Sequence, residues 1–420
     1  MTTPLDVDRE NHAMNHLTLT IGLAAALLAA CAQQPAMAPT IPGPAAEAPA
    51  VEQTASGAPA VAPLAVAVPA RPVEPIAPVS NDVRNAAKML DSEMRRWLKA
   101  SGTLRRDRYT YGMDVAPLML YAALRGDGAL YQQLLPSARK LIVDSEDEPY
   151  TQGFVLWRHK DGVKPEVSGS SEMLWMARAL WAGGNSFNRA EDRALALKIL
   201  DGYARHAYEL QGVWLVRKYY TFETRSFAGL SVLPNYSGDF LAEAEKQASG
   251  ELRGFAERSY AMMGRVAAPS GLLYPVIQPE VGATYPGTGV DVYAPNGIAN
   301  LEDACAGAEG AVRGVPKAGK ALLAFAADRK HRNKLGQLHQ YYDAESGEPI
   351  GPTVLSGPGY ACLVRLAVAL EDGGSLGYLG TLLQNEMQHT AEAPQVLQAP
   401  LYAAGPMLLA AYAMGAFNAP

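Results

Sequence analysis

The stretch 106–113 brings together side chains that could act on a sugar. Asp107 lies between Arg106 and Arg108, and Tyr109 and Tyr111 follow shortly before an apolar segment. Acid–base cleavage of a glycosidic bond needs carboxyl groups, and aromatic rings stack on the C–H faces of sugars. The stretch therefore predicts the rim of a glycan cleft. Because nearby cations favour the ionised carboxylate, a salt-bridged loop residue is the competing interpretation of Asp107.

Two further positions offer carboxyl groups at the start of predicted helices. Asp303 follows Asn300 and Glu302, and Glu172 follows a pair of serines at 170–171. An acid in the first turn of a helix usually caps it or interacts favourably with its dipole. That structural role is therefore the alternative to proton transfer at both positions.

Aromatic and basic side chains near these acids could bind a glycan. Core packing is the alternative for any single ring. A basic run at 217–218 could bind an anionic or acetylated glycan, or form a solvated edge. The predicted substrate contacts are Tyr109, Tyr111, Trp157, Trp175, Tyr236 and Arg108.

Helical periodicity dominates the chain from residue 81 onward, and strand-like alternation is confined to 214–221 and 272–277. Most helices fall in pairs separated by loops rich in glycine, proline and asparagine. This pattern predicts an all-α fold, an (α/α)6 toroid of six helical hairpins with a few short strands or irregular loops over the cleft. An α-solenoid is the alternative, but no fixed repeat period is present. The twelve predicted helices cover about 83–98, 113–124, 128–143, 171–184, 188–210, 238–247, 251–265, 302–312, 317–328, 357–371, 375–387 and 401–416.

The N-terminal region reads as an export signal followed by a tether. An apolar stretch at 17–30 is too short to span a membrane, and it ends in Leu28-Ala29-Ala30-Cys31, which resembles a bacterial lipobox. This predicts a lipoprotein signal peptide over 1–30, lipidation of Cys31, and the periplasmic face of a bacterial membrane. An ordinary cleaved signal peptide is the alternative. The Ala/Pro-rich segment 31–80 predicts a disordered tether, and 81–420 the folded domain.

Composition excludes several classes of function. The formal net charge of −6, without a dense cluster of lysine and arginine, argues against a nucleic-acid partner. Seven scattered histidines and three cysteines show no zinc-binding spacing. We therefore expect no metal and no cofactor. Cys305 and Cys362 could form a disulfide in an oxidising compartment, or remain two buried thiols.

Several stretches resemble, in order, motifs of glycoside hydrolase family 8, especially the periplasmic endoglucanases encoded with bacterial cellulose synthases. The resemblance implies an inverting mechanism, with Asp107 at the general acid and Asp303 at the base. It also implies a β-linked, cellulose-like exopolysaccharide as substrate and an exopolysaccharide synthase or export complex as partner. The matching segments are 111–113, 153–158, 170–180, 233–236, 255–260, 302–305, 357–360 and 401–415.

The chain departs from this family at polar positions of the site. Asp107 stands where the family has glutamate, Ser171 and Met173 replace two aspartates, and Ala306 replaces an arginine. Glu172 is therefore a candidate for a relocated acid. The main hypothesis is a membrane-anchored glycoside hydrolase. The alternative is a non-catalytic polysaccharide-binding lipoprotein on the same scaffold; a polysaccharide lyase ranks last, because no compact histidine cluster accompanies the tyrosines.

Overall fold

The computed structural model describes residues 77–105, 108–144, 148–210, 213–228, 230–248, 250–274, 276–277, 297–392 and 400–418. All of them belong to one compact unit, Val61–Pro420. The predicted signal peptide, Cys31 and most of the predicted tether lie outside the described residues, as does Asp107. Their assignments stay predictions.

Twelve α-helices occur in the described part of the chain, each at one of the predicted places. They alternate between an inner layer (α2, α4, α6, α8, α10 and α12) and an outer layer. Inner helices pack on one another from α8 through α10, α12 and α2 to α4, and the turn Leu233–Asn235 just before α6 contacts both α4 and α8 and completes the ring. The predicted all-α toroid is confirmed. The helices are α1 (Asn81–Ser101), α2 (Gly112–Leu124), α3 (Gly128–Leu141), α4 (Ser170–Ser186), α5 (Ala190–Ala204), α6 (Gly238–Ala244), α7 (Phe255–Arg265), α8 (Leu301–Glu309), α9 (Pro316–Ala327), α10 (Gly357–Ala369), α11 (Gly373–Glu392) and α12 (Pro400–Ala413).

Caps and apolar faces explain where these helices lie. Ser80 caps α1 by accepting a hydrogen bond from the Val83 amide, and Gly102 ends it at φ 69°. The inner helices α2 and α10 bury nearly every residue because they pack on both sides. Since each hairpin reverses the chain, the inner helices run in the same direction and begin at the same end of the ring.

Short antiparallel strands lie between the helices and join the loops at the starts of the inner helices. The predicted helix over 188–210 ends early, at Ala204, because the residues of β4 pair with those of β5 instead. The described strands are β1 (Thr110–Tyr111), β2 (Arg158–His159), β3 (Val167–Gly169), β4 (Ala207–Leu210), β5 (Val213–Val216), β6 (Tyr219–Thr221), β7 (Ser226–Phe227), β8 (Ser231–Val232), β9 (Val276–Ile277), β10 (Ile298–Asn300) and β11 (Tyr341–Asp343).

A disulfide joins two inner helices. Cys305 on α8 and Cys362 on α10 are bonded, with their Cα atoms 6.0 Å apart. The bond closes a loop of 57 residues, so it restricts the unfolded chain as well as the ring. In the described part of the chain, no helix is both long enough and apolar enough to cross a bilayer.

A buried histidine supports the start of α4. The Ser170 hydroxyl donates to the Arg217 carbonyl at 2.6 Å and lies 2.8 Å from Nδ1 of His206. Nδ1 therefore carries the proton, and the buried Nε2 has no partner among the described residues. Burial lowers the pKa of His206 to about 4. Protonation would place a charge between the rings of Phe154 and Phe227, whose centroids each lie 4.9 Å away.

We expect His206 to destabilise the fold in acid. Its folded pKa of about 4 lies below the ordinary value of 6.5, so the unfolded chain binds more protons between these values. The free energy of unfolding should therefore decrease as the pH falls from 6.5 to 4, by up to roughly 3 kcal/mol. Urea unfolding across this range measures the slope. His206→Gln should flatten it and His389→Gln, at an exposed position, should not; equal slopes in all three proteins would contradict the assignment.

Candidate functional site

Glu172 lies in the first turn of α4, where the loops before two inner helices meet. It is half-buried, and its carboxylate lies so close to Gly169 that a Cβ there would stand 1.9 Å from Oε2. Its stem lies against Gly112, where a Cβ would be 3.2 Å from Cγ. Glu172 is therefore held between the end of β3 and the start of α2, next to Tyr111.

The surroundings of Glu172 favour its protonated form. Burial raises the pKa of Glu172, and this outweighs hydrogen bonds from its own backbone N–H and from Ser171, and the charge of Lys218. The Ser171 hydroxyl donates to Oε2 at 3.0 Å. A carboxyl group with a raised pKa can serve as a general acid at neutral pH.

Asp303 lies in the first turn of α8, at the same end of the ring. Asn300 caps this helix by accepting from the Glu302 amide at 3.0 Å, and the Ser356 hydroxyl donates to Glu302 at 2.7 Å. Asp303 itself is half-buried and takes no part in the cap. Burial, followed by the adjacent Glu302 carboxylate, raises the pKa of Asp303 to about 6, against the lowering effect of Lys218. The capping role predicted for a first-turn acid is therefore filled by Asn300, and the neighbouring Glu302 is engaged by Ser356.

Lys218 connects the two carboxyl groups electrostatically. Its charge lowers the pKa of both Glu172 and Asp303. Its backbone is fixed beside α4, because its carbonyl accepts from the Ser170 amide at 3.0 Å while its own amide donates to Leu230 at 2.9 Å. The side chain is exposed, and its charge is close enough to act on both acids. The sequence placed Lys218 only in a basic run, with no sign of this position.

We expect Lys218→Met to move the pH dependence of any activity at this site. Without the ammonium, the pKa values of Glu172 and Asp303 should both rise. If Asp303 must be ionised and Glu172 protonated, both limbs of the kcat/KM profile should shift to higher pH. Rates from pH 4 to 9 measure this, with Lys317→Met on the exposed start of α9 as control. An unshifted profile, or a shift to lower pH, would contradict the placement of Lys218.

An aromatic cluster borders Glu172 on the side of β1 and β2. The rings of Tyr111 and Trp157 meet edge to face at 5.9 Å, and Tyr109 and Tyr111 lie 6.4 Å apart. The Arg158 guanidinium lies over both Tyr109 and Trp157, at 4.3 and 4.4 Å. Glu166 holds this arginine through bonds of 2.8 to 3.1 Å. Trp157 remains 36% exposed, so its ring is available to a sugar.

Other predicted contacts are placed differently. Tyr236 is only 2% exposed, and its hydroxyl lies 2.6 Å from the Ser231 hydroxyl. Its ring packs in the core, which corrects the expectation that it binds substrate. Arg108 is exposed at φ 70° near Tyr109. Trp175 is half-buried on α4, one turn below Glu172.

The structure also shows the surroundings of the residues that stand where the family 8 motifs have polar side chains. Met173 is fully buried, in contact range of Gly202, so this position belongs to the core. The Ser171 hydroxyl donates a hydrogen bond to the Glu172 carboxylate. Ala306 remains half-buried on α8, one turn above Glu309. Within the described ranges, no group of three histidine, cysteine, aspartate or glutamate side chains could hold a metal ion.

Comparison with known proteins shows likeness in structure but not in sequence. No protein-family model matches the chain, and no curated protein sequence matches it. An α-amylase from Clostridium perfringens superposes with a TM-score of 0.61 at 13% identity, over 78% of this chain and 98% of that one. A cold-adapted family 8 xylanase in complex with substrate gives 0.56 at 13%, over 79% and 91%. The endo-β-1,4-glucanase CMCax from Acetobacter xylinum gives 0.51 at 14%, over 73% and 99%. The chain thus has the toroid fold of family 8 glycoside hydrolases.

Proposed function

We propose that this chain, which shares the toroid of family 8 glycoside hydrolases, is itself a glycoside hydrolase that uses Glu172 and Asp303. The observation that carries the proposal is the placement of these two carboxyl groups. Each begins an inner helix at the same end of the ring, each has a pKa raised by burial, and each is influenced by Lys218. Two carboxyl groups at one end of the ring, bordered by aromatic side chains, suit glycosidic cleavage.

The reaction we propose is hydrolysis with inversion. Glu172 donates its proton to the leaving glycosidic oxygen, while ionised Asp303 takes a proton from the water that attacks the anomeric carbon. Inverting enzymes hold the two carboxyl groups about 6.5–9.5 Å apart, which leaves room for this water. Asp303, with a pKa of about 6, would be ionised at neutral pH. Asp107 remains the rival for the acid role.

The substrate we propose is a β-linked, cellulose-like exopolysaccharide. The xylanase and the endo-β-1,4-glucanase are named for such backbones, although the α-amylase is not. The cluster of Tyr109, Tyr111 and Trp157 supports binding of an extended chain, because an exposed ring can stack on a sugar ring.

We place this activity at the periplasmic face of a bacterial membrane, with the chain held by lipidated Cys31. The lipobox-like residues before Cys31 support this location. The bond between Cys305 and Cys362 also supports it, because such bonds persist in oxidising compartments. In that setting the enzyme would cut the polysaccharide during its synthesis or export, next to the synthase or export complex.

The test is hydrolysis by the purified full chain. We expect it to lower the viscosity of hydroxyethylcellulose or mixed-linkage β-glucan and to release reducing ends, with inverted anomers visible by NMR at early times. Binding without new reducing ends would instead favour the non-catalytic glycan-binding lipoprotein. Products absorbing in the ultraviolet would indicate a lyase. Products that retain the anomeric configuration would contradict the inverting mechanism but not the proposed hydrolase activity.

A further inference from the structure

A second set of polar side chains lies deeper in the ring than the carboxyl groups. On α4, Glu172, Trp175 and Arg178 are half-buried, while most of their neighbours are buried. Residues three apart lie on neighbouring parts of one helix face, and the other faces of α4 pack on α2 and α5. The accessible strip therefore faces the centre of the ring. Arg178 lies about 9 Å along the helix from Glu172, at 1.5 Å per residue.

An ion pair forms the opposite wall at the same depth. Arg365 on α10 donates two bonds of 2.7 Å to Glu309 on α8, and a third of 3.2 Å to the Pro406 carbonyl. The side chains of Arg365 and Glu309 are only 12 and 14% exposed. This pairing satisfies both charges and leaves neither free to engage a ligand strongly.

Arg178 is different, because it makes no hydrogen bond or ion pair with any residue that the structure describes. The acids that influence it are already engaged. Glu309 binds Arg365. Asp239 accepts from the Tyr260 hydroxyl and the Arg313 amide, and Glu243 accepts from Trp181. A guanidinium carries five N–H donors, and no described residue accepts a hydrogen bond from that of Arg178.

The ring of Trp175 completes the pocket. The Cζ atoms of Arg178 and Arg365 lie 5.8 and 5.7 Å from its centroid, so both guanidinium groups are close to the indole ring. A flat ring beside a guanidinium that has no acceptor in the described part of the chain suits a sugar that carries a carboxylate. The sugar can stack on the ring while the carboxylate accepts paired hydrogen bonds from the arginine.

We propose that Trp175 and Arg178 form a subsite for an acidic sugar, so that the polysaccharide substrate carries carboxylate groups. This inference rests on the proposed function for its place in a glycan cleft, and it names the class of glycan. A neutral cellulose chain offers the Arg178 guanidinium only neutral oxygen acceptors, whereas a uronate-containing chain supplies a carboxylate that can accept a charge-assisted pair of hydrogen bonds.

Binding of two matched oligosaccharides to the full chain tests the subsite without requiring turnover. The first is cellotetraose, and the second is the same β-1,4-linked tetrasaccharide with its C6 hydroxymethyl groups oxidised to carboxylates. We expect the acidic tetrasaccharide to bind about tenfold more tightly by calorimetry, since a charge-assisted hydrogen bond contributes on the order of 1.5–3 kcal/mol. Arg178→Gln should remove this preference, so that the affinities for the two tetrasaccharides differ by no more than about twofold.

Arg329→Gln, at an exposed position on the outer layer, is the matched control and should keep the preference for the acidic tetrasaccharide. Arg178→Lys should retain part of it, because the charge remains but the paired donors are lost. Equal affinity for the two oligosaccharides, no binding of either, or the same preference in Arg178→Gln would overturn the proposal. Preferential binding of the acidic tetrasaccharide without hydrolysis would support the subsite and count against the proposed hydrolase.

Discussion

Replacing Glu172 by glutamine is expected to lower kcat on a soluble β-glucan roughly 1,000-fold, the typical contribution of a general acid or base. The amide keeps the shape of the side chain but cannot donate a proton to the leaving oxygen. Asp303→Asn should cause a loss of the same order, because an amide cannot accept the proton of the attacking water. Both variants should leave KM close to that of the parent, since neither change removes a ring that stacks on the sugar.

The two roles can be separated by the leaving group. An aryl glycoside with an acidic phenol needs little proton donation, so Glu172→Gln should regain much of its rate on such a substrate. Asp303→Asn should not, because water activation is needed for every substrate. Glu257→Gln, an exposed acid on α7, should behave as the parent.

Asp107→Asn decides between the two candidate acids. If Asp107→Asn loses activity and regains it on the activated substrate while Glu172→Gln stays fully active, the acid is at 107 and our assignment of Glu172 is wrong. Unchanged rates in both Glu172→Gln and Asp303→Asn would remove the proposed mechanism altogether.

The toroid could be predicted from the sequence because the helical periodicity that indicates it recurs along the chain. Twelve periodic segments in pairs leave few alternatives, and errors at their ends do not change the architecture. The exception is instructive. The segment 188–210 is apolar enough to continue as a helix, yet Ala207–Leu210 pair with Val213–Val216. Local periodicity does not show that a later segment will pair with these residues.

The site could be predicted only in part, because its geometry depends on contacts between distant segments. The first-turn positions of Glu172 and Asp303 were visible in the sequence. The closeness of Glu172 to Lys218 follows from the pairing of β3 with β6, which sets residues 167–169 against 219–221. The prediction that Tyr236 binds substrate was wrong. A tyrosine in a matching sequence segment does not reveal that its hydroxyl already has a hydrogen-bond partner inside the core. Arg178 drew no attention because its significance lies in its lack of a hydrogen-bond acceptor among the described residues, which the sequence does not show.

Gly169→Ala is the second change from which we expect a large loss of activity. Gly169 has φ −107° and ψ 143°, a conformation that any residue can adopt. The added methyl group would therefore cause no backbone strain, but it would stand 1.9 Å from Oε2 of Glu172. The carboxylate must move by more than 1 Å. Since a displacement of that size can cost about 100-fold in rate, kcat should fall by roughly that factor while the free energy of unfolding changes little.

A series of glycine substitutions shows whether the carboxylate position is the cause. At Gly112 a Cβ would meet the Glu172 stem at 3.2 Å, a milder contact, so Gly112→Ala should lower kcat less than Gly169→Ala. At Gly377 on α11 a Cβ would meet open space, so Gly377→Ala should leave kcat unchanged. In the Glu172→Gln background, Gly169→Ala should add almost nothing, because two changes that act through one group are not additive. A full additional loss in that double variant would mean that Gly169 acts on something other than Glu172, and that the proton donor of this cleft lies elsewhere.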